Sequence, residues 1–401
     1  MTKSMKNSLW FLFLFIITAC GGRSPKPELS HVQDNRVVDK GVHWQSGEVI
    51  HLDRDSDIPI DELVDSIAVV QLETNDLCLI SGIYKVLIYN GKYYILDRRQ
   101  QNLFCFDQNG KFLHKIGERG RGPQEYEYLG SIAIDPYNEQ LLLVVPFGSV
   151  LCYDLNGTFI EKISIPDAGA INELHVLNAD HWLFVSLNEY QILYFSKKEN
   201  RIVERLYERL PALLLPLGRS YAYNNSIYFA PLLHSETLNM SDKDRQVAYS
   251  WDFGANNNRS GRSERLLREL QNMNVRSEAD YHAYVSLINS YLNHHILFTR
   301  ESLRYRMAVL EYRNDYIHVL HDKRENQSIV FRKTKEGIRW VLPDYMSNQE
   351  IIIAYDIDGT DGYRDFTCYA KDIFTPEQLR TIEVHNPERD NPFFVVYYLK
   401  K

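Results

Sequence analysis

The stretch of the chain richest in potential chemistry is Gly117-Glu118-Arg119-Gly120-Arg121-Gly122-Pro123-Gln124-Glu125-Tyr126. Glycines placed around Arg119 and Arg121 would leave backbone N–H groups and two guanidinium forks open to an anionic ligand. Tyr126 and Tyr128 beside them offer ring faces to a sugar or a peptide. Arg119, Arg121, Tyr126 and Tyr128 are therefore the ligand-binding candidates. No Gly-Lys-Ser/Thr follows and no helical pattern begins there, so the loop is not a phosphate loop. The competing account is a tight turn between structural units whose arginines pair with Glu118, Glu125 or neighbouring acids.

Other candidates fail on spacing. Asp356-Ile357-Asp358-Gly359-Thr360-Asp361-Gly362 suggests a calcium loop, but counting from Asp356 puts Thr360, Asp361 and Thr367 where an EF-hand needs an acid or amide, a glycine and a glutamate. An acidic hairpin turn fits it better. The 13 histidines include neither His-Glu-x-x-His nor any Cys/His zinc spacing. His294 and His295 are adjacent, so on a helix their rings would diverge by about 100°. His114, His175, His234 and His318 would have to converge from distant segments to hold a metal; surface or satisfied interior positions explain them more simply. There is no Gly-x-Ser-x-Gly and no Cys/His/Asn signature. No catalytic residue, metal site or cofactor is assigned on this basis.

The elements that must position these residues show as a repeat. Tyr94-Ile95-Leu96-Asp97, Leu103 to Asp107, Asn109-Gly110 and Phe112 to Ile116 recur 47 positions on as Leu141 to Val144, Val150 to Asp154, Asn156-Gly157 and Phe159 to Ile163. Asn-Gly between alternating apolar runs predicts a hairpin with a type I′ turn. Cys105 and Cys152 share one repeat position, as small half-buried residues rather than a disulfide. Weaker units follow at Trp182 to Tyr207, Ser226 to Phe253, Tyr305 to Lys333 and Glu350 to Leu399. Tyrosine, at 27 residues, and phenylalanine, at 18, support strands throughout. The expected fold is all-β: a six-bladed β-propeller of four-stranded antiparallel blades over residues 48–401. Its final strand near Phe393 to Leu399 should pair with one near Ile67 to Leu72. A helical insertion over about 262–293 is expected between blades 4 and 5. Leu266, Leu267 and Leu270, then Tyr281, Val285, Ile288 and Tyr291, have helical spacing, and Ser277 with Asp280 forms a capping pair. Such a stripe is expected to dock on its own domain.

The amino-terminal segment is an address. Lys3 and Lys6 precede the apolar run Leu9 to Ile17, and Thr18-Ala19-Cys20-Gly21-Gly22 follows, the pattern of a secretory signal over residues 1–19. Ile17-Thr18-Ala19-Cys20 resembles a bacterial lipobox, which implies cleavage before Cys20 and acylation of that residue. Several acyl chains on Cys20 would hold the protein lastingly in a lipid bilayer. Residues 20–47, polar and with Pro25 and Pro27, read as a flexible tether. The chain has 45 Lys plus Arg against 53 Asp plus Glu, a net charge of −8, which argues against nucleic acid as a partner.

Asp65-Ser66-Ile67 with Gln71-Leu72-Glu73-Thr74, the Tyr93 to Gly110 unit, the Gly117 to Tyr126 loop and Asn391-Pro392 with Phe393 to Lys400 together resemble the six-bladed β-propeller lipoproteins of Bacteroides-type bacteria, distantly similar to NHL-repeat propellers. In that family an acidic run after the lipidated cysteine directs some members to the cell surface. Here Gly21, Gly22 and Arg23 stand there, so the resemblance implies an outer-membrane lipoprotein with its periplasmic face favoured over the surface. It implies a membrane-anchored binding body, and the expectation is a monomeric, non-catalytic protein that binds a glycan, peptide or envelope partner protein. The alternatives are an NHL-like lactonase or lyase with an axial metal ion, and an envelope assembly scaffold.

Overall fold

The computed structural model describes residues 48–401, apart from 147, 209–217, 232–235, 258–264, 267, 271, 314, 341–342 and 356–370. The signal segment, Cys20, the tether, His234 and the Asp356 to Gly362 turn lie outside the described residues. No helix among those described is long and apolar enough to cross a membrane.

The described strands form six four-stranded antiparallel sheets. Five are continuous in sequence. They are β2 (Ile83–Tyr89), β3 (Lys92–Asp97), β4 (Asn102–Asp107) and β5 (Phe112–Lys115); β6 (Ser131–Asp135), β7 (Gln140–Val145), β8 (Ser149–Asp154) and β9 (Phe159–Ser164); β10 (Ile171–Val176), β11 (His181–Ser186), β12 (Tyr190–Ser196) and β13 (Arg201–Glu208). Then come β14 (Gly218–Tyr223), β15 (Ser226–Pro231), β16 (Glu236–Asn239) and β17 (Val247–Ser250), and β18 (His295–Glu301), β19 (Tyr305–Tyr312), β20 (Asp315–Asp322) and β21 (Gln327–Phe331). The sixth sheet joins both ends of the ring, in the order β22 (Tyr345–Met346), β23 (Glu350–Tyr355), β24 (Phe393–Leu399) and β1 (Val64–Gln71). β1 pairs with β24 from Val64 against Leu399 to Gln71 against Phe393, the closure expected from the sequence.

Each pair of neighbouring blades shares one apolar core. Tyr94, Leu103 and Cys105 meet Leu141, Leu143 and Leu151 across the first junction of the continuous blades. Leu142, Val144 and Cys152 meet Trp182, Phe184 and Phe195 across the next. The ring closes through Ile352, Phe394 and Val396 packed on Val86, Ile95 and Phe104. Cys105 and Cys152 are free, buried thiols in these cores; burial pushes Cys105 up to about 11 and Cys152 to about 12, so neither is a ready nucleophile.

The turn chemistry differs in detail from the expected type I′. Gly110 and Gly157 have φ of +80° and +89°, but neither Asn109 nor Asn156 has positive φ. The aspartate at the strand end makes the turn instead: Asp107 Oδ1 accepts from the N–H groups of Asn109 and Lys111, and Asp154 Oδ1 from Asn156 and Thr158. A register shift follows in each strand pair, the signature of a glycine bulge. Gly110 has a second constraint, since a Cβ there would lie 2.2 Å from the carbonyl oxygen of Gln71. The type I′ geometry appears at Asn90-Gly91, where both φ values are positive, between β2 and β3.

The helix α1 (Glu278–Tyr291) carries the predicted capping box, with Ser277 and Asp280 exchanging both hydrogen bonds. Blades are counted by their first strand in the chain, so the sheet holding β1 comes first. The helix then falls between blades 5 and 6, not 4 and 5, because the opening strand belongs to a blade completed only at the end of the chain. Its buried face is Tyr284 and Ile288, packed with Leu266 and Leu270 in a small core, rotated from the expected Tyr281 and Val285. A second helix, α2 (Pro376–Val384), precedes β24.

Residues 48–63 run as a strap along the outer edge of the β18–β21 blade. Ile50 N–H donates to Asp252 O, Ser56 N–H to Val330 O and Lys335 N–H to Ile58 O, at 2.7, 2.7 and 2.9 Å. Ile50 and Leu52 bury against Trp251 and Phe253, and Ile58 and Ile60 enter the core around Trp340. Asp53 and Asp55 pair with Arg313 and Arg332 at 2.7 and 3.1 Å. The strap occupies hydrogen-bonding groups that β21 would otherwise leave open as a sheet edge.

Candidate functional site

The Gly117 to Tyr126 loop connects β5 to β6, and its own residues fill it. Gly122 N–H donates to Glu125 Oε2 at 2.7 Å, and a Cβ on Gly120 would lie 1.9 Å from the same oxygen. The glycines thus make room for an internal carboxylate. Tyr126 is buried in an inter-blade core, so its ring offers no face to a ligand. Arg121 Nε meets Glu127 Oε1 at 2.6 Å with both side chains exposed, and Arg119 is exposed. Exposed pairs contribute little, so the double change Arg119→Ala and Arg121→Ala is expected to alter unfolding free energy by less than about 1 kcal/mol. Urea titration checks this; a larger loss would make the arginines structural staples.

Tyr128 stands differently. It is 37% exposed, and Tyr84 on β2 is 40% exposed. The Arg98 guanidinium lies between them, its carbon 4.4 Å from the Tyr84 ring centre and 5.4 Å from that of Tyr128, with Nε donating to the Tyr128 hydroxyl.

These two rings lead to the ring axis. The first strands of adjacent sheets touch one another, β2 with β6, β6 with β10 and β14 with β18, which places them innermost. Their polar residues converge. Lys85 Nζ on β2 donates to Ser131 Oγ on β6 at 3.0 Å. Ser220 Oγ on β14 donates to Glu173 Oε2 on β10 at 2.6 Å, and His175 Nε2 lies 2.8 Å from the same hydroxyl and 3.6 Å from Glu173. Arg219 Nε donates to the Leu297 carbonyl of β18 at 2.7 Å. The Arg300 guanidinium lies 5.0 Å from the Phe298 ring centre and 5.6 Å from that of Tyr221, with Nη1 on the carbonyl of Thr299. Register shifts fall between Ile83 and Lys85, Ile171 and Glu173, and Ile296 and Phe298. Three inner strands therefore carry a bulge where they reach this cluster, and bulges re-aim side chains.

The electrostatics are lopsided. Among the described residues no carboxylate stands within 4.0 Å of Lys85, Arg219 or Arg300. Burial pulls the Lys85 ammonium down, against the attraction of Glu173, and the Arg300 charge adds to the lowering. Burial likewise lowers Arg219 and Arg300. Burial alone would raise Glu173, but the His175 hydrogen bond, the Lys85 charge and the Ser220 hydroxyl together hold it well below the usual carboxylate range. Burial lowers His175, so the imidazole is neutral near pH 7. Three cations then face one carboxylate. A second network nearby pairs its charges: Glu301 takes Lys323 at 3.2 Å, Arg306 at 3.3 Å and the Tyr221 hydroxyl at 3.1 Å.

The cluster lacks a triad's logic. Ser220 gives its proton to Glu173, so His175 must present an N–H to the serine oxygen, where a general base would present a lone pair. Among the described residues no group of three His, Cys, Asp or Glu is placed to hold a metal. Of the four histidines weighed from sequence, His175 reaches the axis. His114 sits on the outermost strand β5, and His318 is buried on β20 against Phe331.

Fold and axis together define a six-bladed β-propeller with a cation-rich, partly accessible centre. The chain belongs to the family described as domain of unknown function DUF4934, whose sequence profile matches residues 48–398. No curated protein sequence matches it significantly. Among solved structures it is similar to a protein of Bacteroides fragilis described as exported, at 17% identity and a TM-score of 0.69, covering 88% of this chain and all of that one. It also aligns with a DUF4221-family protein of Bacteroides vulgatus, at 11% identity and a TM-score of 0.49, over 84% of this chain and 97% of that one. The likeness to the Bacteroides fragilis protein shows the same fold carried by a sequence only 17% identical.

Proposed function

We propose that this protein is a lipid-anchored component of the bacterial cell envelope whose propeller binds a glycan, a peptide or an envelope partner without catalysing a reaction on it. The observation that carries the reading is the axial cluster: cations without carboxylate partners, gathered on three inner strands, suit recognition of a ligand. The export ascribed to the Bacteroides fragilis relative agrees with a secretory signal over residues 1–19. Cys20 is the proposed acylated residue, with the outer membrane as the site of anchoring and its periplasmic face favoured. Arg119 and Arg121, on the same connection as Tyr128, are proposed as secondary contacts.

A lactonase or lyase with an axial metal is the less favoured reading, because a divalent cation would sit among Lys85, Arg219 and Arg300. An assembly scaffold differs from the main reading only in the size of the ligand. Two experiments test the proposal. The Cys20→Ala protein should move from the membrane pellet to the soluble periplasmic fraction; retention through a carbonate wash defeats the anchor. Arrays of glycans and peptides probed with that full-length soluble variant should give specific binders; silence across both defeats the binding role.

A further inference from the structure

We infer that the ring axis is a site for an acidic sugar, its carboxylate received by Lys85, Arg219 and Arg300 and its ring laid on Tyr84 and Tyr128. The inference rests on the binding role proposed above and names the ligand class.

Charge comes first. Three cations less one carboxylate leave the cluster at +2 with His175 neutral. The Glu173 carboxylate is engaged by Ser220 and His175, and it is not in ion-pair contact with any of the three cations. Partly buried cations without a counter-ion are costly, and an entering oxyanion relieves that cost. Access comes second: the Glu173 side chain keeps 30% of its exposure, so solvent reaches the cluster. The third element is the approach. Tyr84 immediately precedes Lys85 on β2, at the bulge, so one strand carries both a ring face at the rim and an ammonium at the axis. Tyr128 lies across Arg98 from it. A pyranose covers a tyrosine face through its C–H groups and meets donors through its hydroxyls. Arg98, on the loop between β3 and β4, supplies such donors through its terminal guanidinium N–H groups, its Nε being held by the Tyr128 hydroxyl. A bare inorganic anion would use the cations and leave both rings idle.

The test is calorimetric titration of the full-length Cys20→Ala protein at low salt with glucuronate, glucose, acetate and sulfate. Glucuronate should bind at least about tenfold more tightly than the other three, a factor of ten being the scale of one charge-assisted hydrogen bond. Lys85→Met and Arg300→Met should each weaken glucuronate by about tenfold or more, with thermal melts confirming that both variants fold. Should either fail to fold, the rim variant Tyr84→Ala supplies the reading, weakening glucuronate and leaving sulfate unchanged. Glucuronate binding no tighter than sulfate or acetate overturns the inference, as does glucuronate binding indifferent to these variants. A neutral glycan or peptide found on the arrays and bound equally by Lys85→Met and Arg300→Met also overturns it, and leaves the broader binding role standing.

Discussion

A chain ending at Asp390 is expected to be insoluble or freely digested by protease at concentrations where the intact protein is resistant. β24 is an inner member of its sheet, paired with β1 on one side and β23 on the other, so its loss strips both. Phe393, Val395, Tyr397 and Leu399 leave one inter-blade core, and Phe394 and Val396 leave the next. At about 1.5–3 kcal/mol for each large apolar side chain, the loss rivals the whole stability of a typical domain. Asn391 adds a clasp at the seam. Its Oδ1 accepts from Ile80 N–H at 2.8 Å, its Nδ2 donates to the carbonyls of Glu73 and Cys78 at 2.6 and 2.7 Å, and its backbone N–H donates to Thr74 Oγ1 at 2.8 Å. Without that clasp the buried groups it serves are left unpaired. Limited proteolysis and near-ultraviolet dichroism measure the outcome; a truncated chain that melts like the intact one would falsify ring closure as a stabilising element.

Acid should weaken the propeller before its carboxylates titrate. Burial holds His294 and His318 down to about 4, against the pull of backbone carbonyls on each. His318 is fully buried, stacked on Phe331 with its Nδ1 3.1 Å from the Phe331 carbonyl oxygen; His294 packs edge-on to Phe253. An unfolded histidine takes up a proton near pH 6.5. Between pH 6.5 and about 4 the unfolded chain therefore binds protons at both positions that the folded chain refuses, and stability falls as pH falls. Each histidine contributes a loss of about 2 kcal/mol between pH 7 and pH 5 by this linkage. These two alone make urea titrations at the two values differ by roughly 4 kcal/mol, other burial-lowered histidines such as His175 add to it, and His318→Gln should remove about 2 kcal/mol. Equal midpoints at pH 7 and pH 5 would show that both rings charge freely in the fold.

The hairpins were the legible part of the fold, because β3 to β5 and β7 to β9 repeat the same alternation, the same Asp and the same Gly at one spacing. The closing pair was legible too, from the apolar run Phe393 to Leu399 and its counterpart near Ile67. The inner strands were not. β10 reads Ile-Asn-Glu-Leu-His-Val, and its Glu173 and His175 break the apolar pattern because they face the axis rather than a neighbouring blade. The cluster draws on positions 85, 131, 173, 175, 219, 220 and 300, which share no spacing, and ring geometry alone assembles them. The signal available was weak: single charges inside short strands that open each repeat. In the Arg-Gly loop the sequence did not reveal that Glu125 folds back onto the Gly122 N–H, which reads as open from the glycine spacing alone. Only Tyr128 of that segment reaches the approach to the axis.

The strap along β21 gives the chain an order of yielding under tension. A pull from the amino-terminal side reaches residues 48–63 before it reaches β1. Its main-chain bonds to Asp252, Val330 and Lys335 lie at widely separated points, so they are loaded one after another rather than together. β1 is held against β24 by a continuous ladder and by cores on both faces, which share load along their length. The strap is thus a mechanical fuse: it is loaded first and can peel while the ring and its axis stay closed.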